Sequence, residues 1–218
     1  MSLKYTTPYD ISPTLSDKTA VFPGDVAFSR EVSLSFKNKD SLELSSITTT
    51  LHLGAHTDAP CHYAASGSAM NERPLDYYIG PAQVVEAKVP RGVRLTKEHV
   101  DFSSISAPRV LFKTGSFPDP DRWNEDFNSF APELLSALAD RGVILVGIDT
   151  PSVDPWDSKK LESHQILMAR DMAVLEGIVL QDVPAGFYHL VALPLKIKGA
   201  DASPVRAVLY TDQDWARL

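Results

Sequence analysis

His52, His56, Asp58 and His62 fall within one short run, Leu51-His52-Leu53-Gly54-Ala55-His56-Thr57-Asp58-Ala59-Pro60-Cys61-His62. The chain has six histidines, and three of them are here. Imidazole and carboxylate are the usual nitrogen and oxygen ligands of zinc and its neighbours. Gathered around a glycine and a proline, they are poorly explained by packing alone. The run is the expected seat of the chemistry, and a bound divalent metal is the expected form of it.

All four residues carry even numbers. On an extended chain alternate side chains share a face, so the four could point together. A straight strand, however, rises about 3.3 Å per residue and would hold His52 and His56 roughly 13 Å apart. Two donors to one zinc each sit about 2.0–2.2 Å from the metal. The chain must therefore bend, and Gly54 is placed to allow it. A helix would also bring positions four apart together, but Gly54 weakens it and Pro60 blocks its continuation to His62. The run is predicted to lie where a strand over residues 42–53 breaks into a loop.

A second cluster of ligand types follows at Ser163-His164-Gln165 and Leu175-Glu176-Gly177. His164 lies in a helical pattern, and a solvated helix histidine explains it equally well. Glu176 stands amid apolar residues, where a carboxylate is costly to bury without a partner. It is either a buried ligand or base, or a turn residue in water. Asp149 and Asp154 lie in a loop after a strand, where function often sits, but read more readily as ordinary turn residues. Cys61 adjoins His62, but neighbours on an extended chain face opposite ways, so it reads as a small packed side chain. His99 and His189 read as structural. No Gly-x-Ser-x-Gly elbow and no His-Glu-x-x-His is present.

The elements that must position these groups are short, punctuated by 16 prolines and 11 glycines. Strands are predicted over 83–89, 109–113, 143–148, 188–195 and 205–210. Pro132, an apolar stripe of Leu134, Leu135 and Leu138, and Gly142 as the stop predict one helix. Residues 161–169 predict a second. Irregular alternation of strands and helices points to an α/β domain with a mixed β-sheet and flanking helices. At 218 residues the chain is read as one domain, 1–218, with a composition ordinary for a globular protein: 44% hydrophobic and 22% charged. A net charge of −7 argues against a nucleic-acid partner. A single cysteine excludes an internal disulfide and fits a reducing compartment. The first eight residues lack the apolar core of a secretory signal. No apolar stretch of about 20 residues is available to span a membrane. A cytoplasmic protein is expected.

With the residues laid out, the pattern His52-x-Gly54-x-His56-x-Asp58-x-Pro60-x-His62 resembles the signature of the cyclase-like metal-dependent hydrolases. Further segments extend the likeness along nearly the whole chain. They include Phe22-Pro23-Gly24-Asp25, Gly147-Ile148-Asp149-Thr150-Pro151-Ser152-Val153-Asp154-Pro155, Leu175-Glu176-Gly177 and Asp201-Ala202-Ser203-Pro204-Val205-Arg206. The segments around Asp149 and Glu176 resemble the branch of that family that acts on aryl formamides. The resemblance implies a swivelling β/β/α fold, commonly dimeric. It implies two divalent ions, usually zinc, with manganese also suited to the donors. His52, His56 and Asp58 would hold the first ion, and Asp58, His164 and Glu176 the second. His62 would be the general acid/base. Phe22 stands where the family often carries tryptophan against the substrate ring. The implied reaction is hydrolysis of N-formyl-L-kynurenine to L-kynurenine and formate. A cyclic amide such as isatin is the rival substrate, and a non-catalytic metal or small-molecule binder the rival of another class.

Overall fold

A computed structural model describes residues 8–217. Of the eight residues on which the absence of a secretory signal was read, the first seven lie outside them. In chain order the strands begin with β1 (Tyr9–Asp10), β2 (Ser29–Leu34), β3 (Leu44–Thr48) and β4 (His56–Asp58). Next come β5 (Ile79–Glu86), β6 (Arg94–Leu95), β7 (Arg109–Lys113), β8 (Ser129–Phe130) and β9 (Leu145–Ile148). The last are β10 (Ala173–Leu175), β11 (Gly186–Val191), β12 (Ala202–Pro204) and β13 (Val208–Tyr210). The α-helices are α1 (Pro132–Asp140), α2 (Glu162–Ala169) and α3 (Asp212–Trp215).

Seven strands form the main sheet in the order β1-β13-β11-β5-β7-β9-β10. From β5 to β10 neighbours run parallel, and β11, β13 and β1 add antiparallel. The sheet is thus mixed, as the irregular alternation of elements implies. The central strands are apolar on both faces because both are covered. Successive residues go to opposite sides: Val84, Leu111, Leu145 and Leu175 to one core, and Val85, Val110, Phe112, Val146 and Val174 to the other. Leu134, Leu135 and Leu138 of α1 and Leu167 of α2 cover the second core. Ala55, Ile178 and Leu180, from the segments around the histidine run and after β10, cover the first. No helix among the described residues is long and apolar enough to cross a membrane.

The histidine run departs from the expected strand end. The strand that precedes it stops at Thr48, and β2 and β3 form a separate exposed hairpin. His56 to Asp58 are themselves a strand, paired antiparallel with β12 through Asp58↔Ala202 and His56↔Pro204. On its other edge His56 exchanges both backbone hydrogen bonds with Glu176, each 3.0 Å. The bend lies before this strand. Gly54 adopts φ +55°. The bend closes against Gly177, which has φ +62° and whose missing Cβ leaves room for the Gly54 carbonyl. Two glycines back to back are what let the run and the Glu176 turn touch.

Replacing Gly177 with Ala would force both a left-handed φ on a residue with a Cβ and an overlap with Gly54. The variant is expected to lose at least about 2 kcal/mol of stability. That corresponds to a melting temperature lower by roughly 4 °C or more for a chain of this size, read by thermal unfolding. An unshifted melt would show that the two turns are not held in contact.

Candidate active site

Parity on β4 holds. His56 and Asp58 share one face, while Thr57 points away and its hydroxyl reaches the Tyr78 hydroxyl at 3.4 Å. The Gly54 bend brings the His52 ring to 5.2 Å from that of His56 and 4.2 Å from that of His62, centre to centre. His164 arrives from the first turn of α2, and Glu176 from the turn after β10. Both are buried, so neither the solvated helix histidine nor the turn carboxylate in water describes them. Around Asp58 the closest approaches are His52 Nδ1 at 3.0 Å, His56 Nε2 at 3.5 Å and His164 Nε2 at 3.4 Å. Glu176 lies 3.1 Å from His56 Nε2 through Oε2 and 3.6 Å from His164 Nε2 through Oε1. Its Oε1 also accepts from the Val153 amide at 2.7 Å.

Each inner histidine is fixed from behind. His56 Nδ1 donates to the Gly54 carbonyl (2.9 Å), His164 Nδ1 meets Asp154 (2.8 Å) and His52 Nε2 meets Asp201 (3.0 Å). An imidazole that gives one N–H to an outer acceptor presents its other nitrogen inward. The three inward atoms are therefore His52 Nδ1, His56 Nε2 and His164 Nε2. Asp154 is no turn residue in water. It is fully buried, takes the Ser163 and His164 amides at the start of α2, and is paired with Arg94 at 3.0 Å. One carboxylate thus satisfies the exposed amides of the helix end and orients its histidine. Burial would raise the Asp154 pKa, but His164 and these amides hold it below the ordinary value.

The electrostatics call for a cation. Asp58 is 2% exposed, and both of its oxygens, like His56 Nε2, are buried without a hydrogen-bond partner. Burial alone would raise the Asp58 pKa; His164 and His52 beside it hold it well below the usual carboxylate range. The same pairing acts on the imidazoles in reverse. Burial opposes their charge, yet Asp58 and Asp201 push His52 up to about 9, and Asp154 and Asp58 push His164 up to about 10. Two sets of donor atoms each lie within 4.8 Å of one another: His52, His56 and Asp58, and Asp58, His164 and Glu176. Asp58 belongs to both. Unpartnered carboxylate oxygens facing imidazole nitrogens are the donor set a divalent ion takes. His52, His62 and Asp201 form a third such set at the mouth.

These groups floor a cavity of about 690 Å³. His62 lines it half-exposed, with Nδ1 turned to Asp201 at 3.7 Å. Phe22 lines the rim at 40% exposure, and its ring meets Trp123 edge to face at 5.2 Å. Cys61 faces away, its sulfur 3.5 Å from the Ala200 carbonyl, and burial pushes its thiol pKa up. It is packed, as alternation along the run implies. His99 bonds the Thr96 amide at 3.1 Å and His189 stacks on Trp215 at 4.6 Å, both away from the cavity. Asp149 lines it, its oxygens taken by Thr114 and Gly115. The sequence reading took Asp154 for a turn residue and gave Asp201 and Trp123 no role. The signal for Asp201 lay only in its place before β12, since nothing local links it to residues 149 positions away.

A carboxylate shared by two donor sets among imidazoles makes this cluster a candidate metal centre. The sequence profile described as "Putative cyclase" matches residues 9–155, and the chain belongs to this cyclase family. Relatives named kynurenine formamidase, from Bordetella petrii and Paracidovorax citrulli, are each 43% identical to it. The alignments span 92% and 94% of this chain and 96% and 99% of theirs. A solved structure described as a potential metal-dependent hydrolase with cyclase activity matches with TM-score 0.80 and 28% identity, covering 93% of this chain and 96% of its own. Isatin hydrolase A from Labrenzia aggregata shares the fold at 22% identity, with TM-score 0.81 over 94% of each chain.

Loading a divalent cation onto this cluster must displace protons from His52 and His164, whose pKa values near 9 and 10 leave both protonated at pH 7.5 in the metal-free protein. Proton release is therefore expected on titration with Zn²⁺ or Mn²⁺, and apparent affinity should rise with pH toward 9. Calorimetry in buffers of different ionisation enthalpy measures the release. Binding that releases none would place the ion elsewhere.

Proposed function

We propose that the chain, residues 1–218 acting as one domain, is a metal-dependent arylformamidase that hydrolyses N-formyl-L-kynurenine to L-kynurenine and formate. The observation that carries this is the Asp58 carboxylate, buried, unpartnered and shared by two donor sets, beside a half-exposed histidine that belongs to neither. Relatives named kynurenine formamidase, alike along nearly their whole length, support the choice of substrate. In this reading His52, His56 and Asp58 hold one divalent ion and Asp58, His164 and Glu176 the second, with zinc as the expected metal and manganese the alternative. When bound, such ions supply a water that ionises near neutral pH and a positive charge for the oxyanion that forms at the formyl carbon.

The remaining work falls to side chains. Burial holds the His62 pKa below its ordinary value, so the ring is neutral at pH 7 and ready to accept a proton. With Nδ1 turned to Asp201, Nε2 is the nitrogen that takes a proton from the attacking water. The same nitrogen then delivers it to the aryl amine. Without that proton the C–N bond would have to expel an amide anion. Phe22, held by Trp123, offers a π face to the aryl ring. Phenylalanine in place of the family's frequent tryptophan keeps that face and lacks the indole N–H. A metal-binding protein without catalysis would have no use for His62 at this place.

A homodimer completes the reading. Nearly every residue of the β2–β3 hairpin is exposed, Val32, Leu44 and Ile47 among them, and Phe36 beside it is too. A two-stranded ribbon is marginal by itself in water, and clustered exposed apolar side chains mark a contact surface. A second copy of the chain is the expected cover. Sedimentation should give twice the 23.9 kDa chain mass, and Ile47→Asp should shift the protein toward the single chain. A wild-type monomer would refute the dimer.

Purified protein is expected to hydrolyse N-formylkynurenine, to lose that activity to a chelator and to regain it with Zn²⁺ or Mn²⁺; a panel including isatin tests the cyclic-amide alternative. His62→Ala should lower turnover by about 10²- to 10⁴-fold while elemental analysis finds the metal retained. Loss of the metal in that variant would make His62 a ligand instead of the acid/base.

A further inference from the structure

The cavity has a side that the hydrolytic chemistry leaves unused. Among the described residues that line it, Asp25, Asp58, Asp149 and Glu176 carry carboxylates, and Lys113 is the one lysine or arginine. Its Nζ donates to two backbone carbonyls, of Gln181 at 2.7 Å and Val183 at 3.1 Å. Both partners are neutral, so neither cancels its charge, and an ammonium has three protons to give. One donor is left over. The two carbonyls also hold this otherwise flexible side chain in place, so little entropy remains to be lost when a ligand binds.

Its position suits the far end of a substrate. Lys113 closes β7, Asp149 follows β9 and Glu176 follows β10, on three neighbouring parallel strands. Phe112 pairs with Ile148, and Gly147 with Leu175, so the three residues stand nearly abreast at the carboxyl ends of their strands. Lys113 is therefore two strand spacings from Glu176, about 10 Å. That separation suits a ring and a short aliphatic arm laid across the sheet end. The nearer carboxylate, Asp149, does not compete for the ammonium's role: its oxygens accept from the Thr114 amide and hydroxyl and from the Gly115 amide.

We propose that Lys113 binds the carboxylate of the substrate's amino-acid arm, and so makes the enzyme prefer aryl formamides that carry an acid over neutral ones. This rests on the arylformamidase reading. It adds a specificity determinant on the wall to the reactive groups on the floor. No bond is made or broken at Lys113; it acts as a fixed point charge with a directed N–H.

The test is a cycle between enzyme and substrate. Wild type and Lys113→Met are each assayed on N-formylkynurenine and on its carboxamide, which has the same shape and keeps the α-amino group but lacks the carboxylate's negative charge. Wild type should favour the acid by roughly 10- to 100-fold in kcat/KM, the range of a hydrogen bond between charged groups. The preference should appear mainly in KM. In Lys113→Met the ratio of acid to amide should fall toward one. Equal losses on both substrates would mean that Lys113 only ties the 181–183 segment to β7, and would overturn the proposal. Should the variant fail to fold, the wild-type ratio decides alone, and a value near one overturns it. Turnover of neither substrate by metal-loaded wild type would overturn the arylformamidase reading, and this inference with it.

Discussion

A carboxylate withdrawn from water with neither oxygen hydrogen-bonded is among the costliest arrangements a fold can hold, unless positive charge stands beside it. Asp58 is held that way, at the middle of three imidazoles. Without an ion, extra protons on His52 and His164 provide the charge, which is why both pKa values rise far above the ordinary imidazole range despite burial. A divalent ion does the same work more compactly. Protons and metal are thus alternative counter-charges to one acid.

Such a centre cannot come from one element. β4 supplies His56 and Asp58 only because it is clamped on both edges, by β12 and by the exchange of hydrogen bonds with Glu176. The clamp needs the Gly54 and Gly177 turns to lie in contact. The outer acceptors then remove the last freedom, that of the rings. Gly54 O, Asp154 and Asp201 decide which nitrogen of each histidine faces inward. Asp154 does this while completing the start of α2, so losing it would loosen a helix end and the His164 ring at once.

Much of this was legible in the sequence where the physics is local. Alternation put His56 and Asp58 on one face. The impossible span of a straight strand required a bend, and Gly54 bends. β7 was bounded as read, at Arg109–Lys113, because a short apolar run between polar ends has few other uses. The error over 42–53 has the same origin: threonine and isoleucine have strand propensity wherever they fall. β3 ends at Thr48 with its pairing to β2, and what starts a new strand at His56 is pairing with partners more than 100 residues away. His164 and Glu176 were candidates by residue type but ambiguous by themselves, and only family resemblance lifted them above the alternative readings, because burial is a property of the assembled fold. Asp154 and Asp201 were hidden for the same reason. Their importance lies in what touches them, and turn-like surroundings say nothing of that.

Floor and wall of the cavity are under different constraints. The floor is over-determined: Asp58, His56, His164 and Glu176 are buried, and each is tied to at least two of the others or to backbone. Altering one leaves an uncompensated charge in the interior. Phe22, by contrast, is 40% exposed and rests on Trp123 by an edge contact, and Lys113 reaches the wall from a strand end held by carbonyls. Replacing either removes little from the core. The shared acid and its buried partners are therefore fixed by fold stability, while His62, Phe22 and Lys113 line the cavity where the fold leaves residues free to change. Related chains on this scaffold can then differ in substrate without the sheet, the β4 clamp or the shared acid having to move.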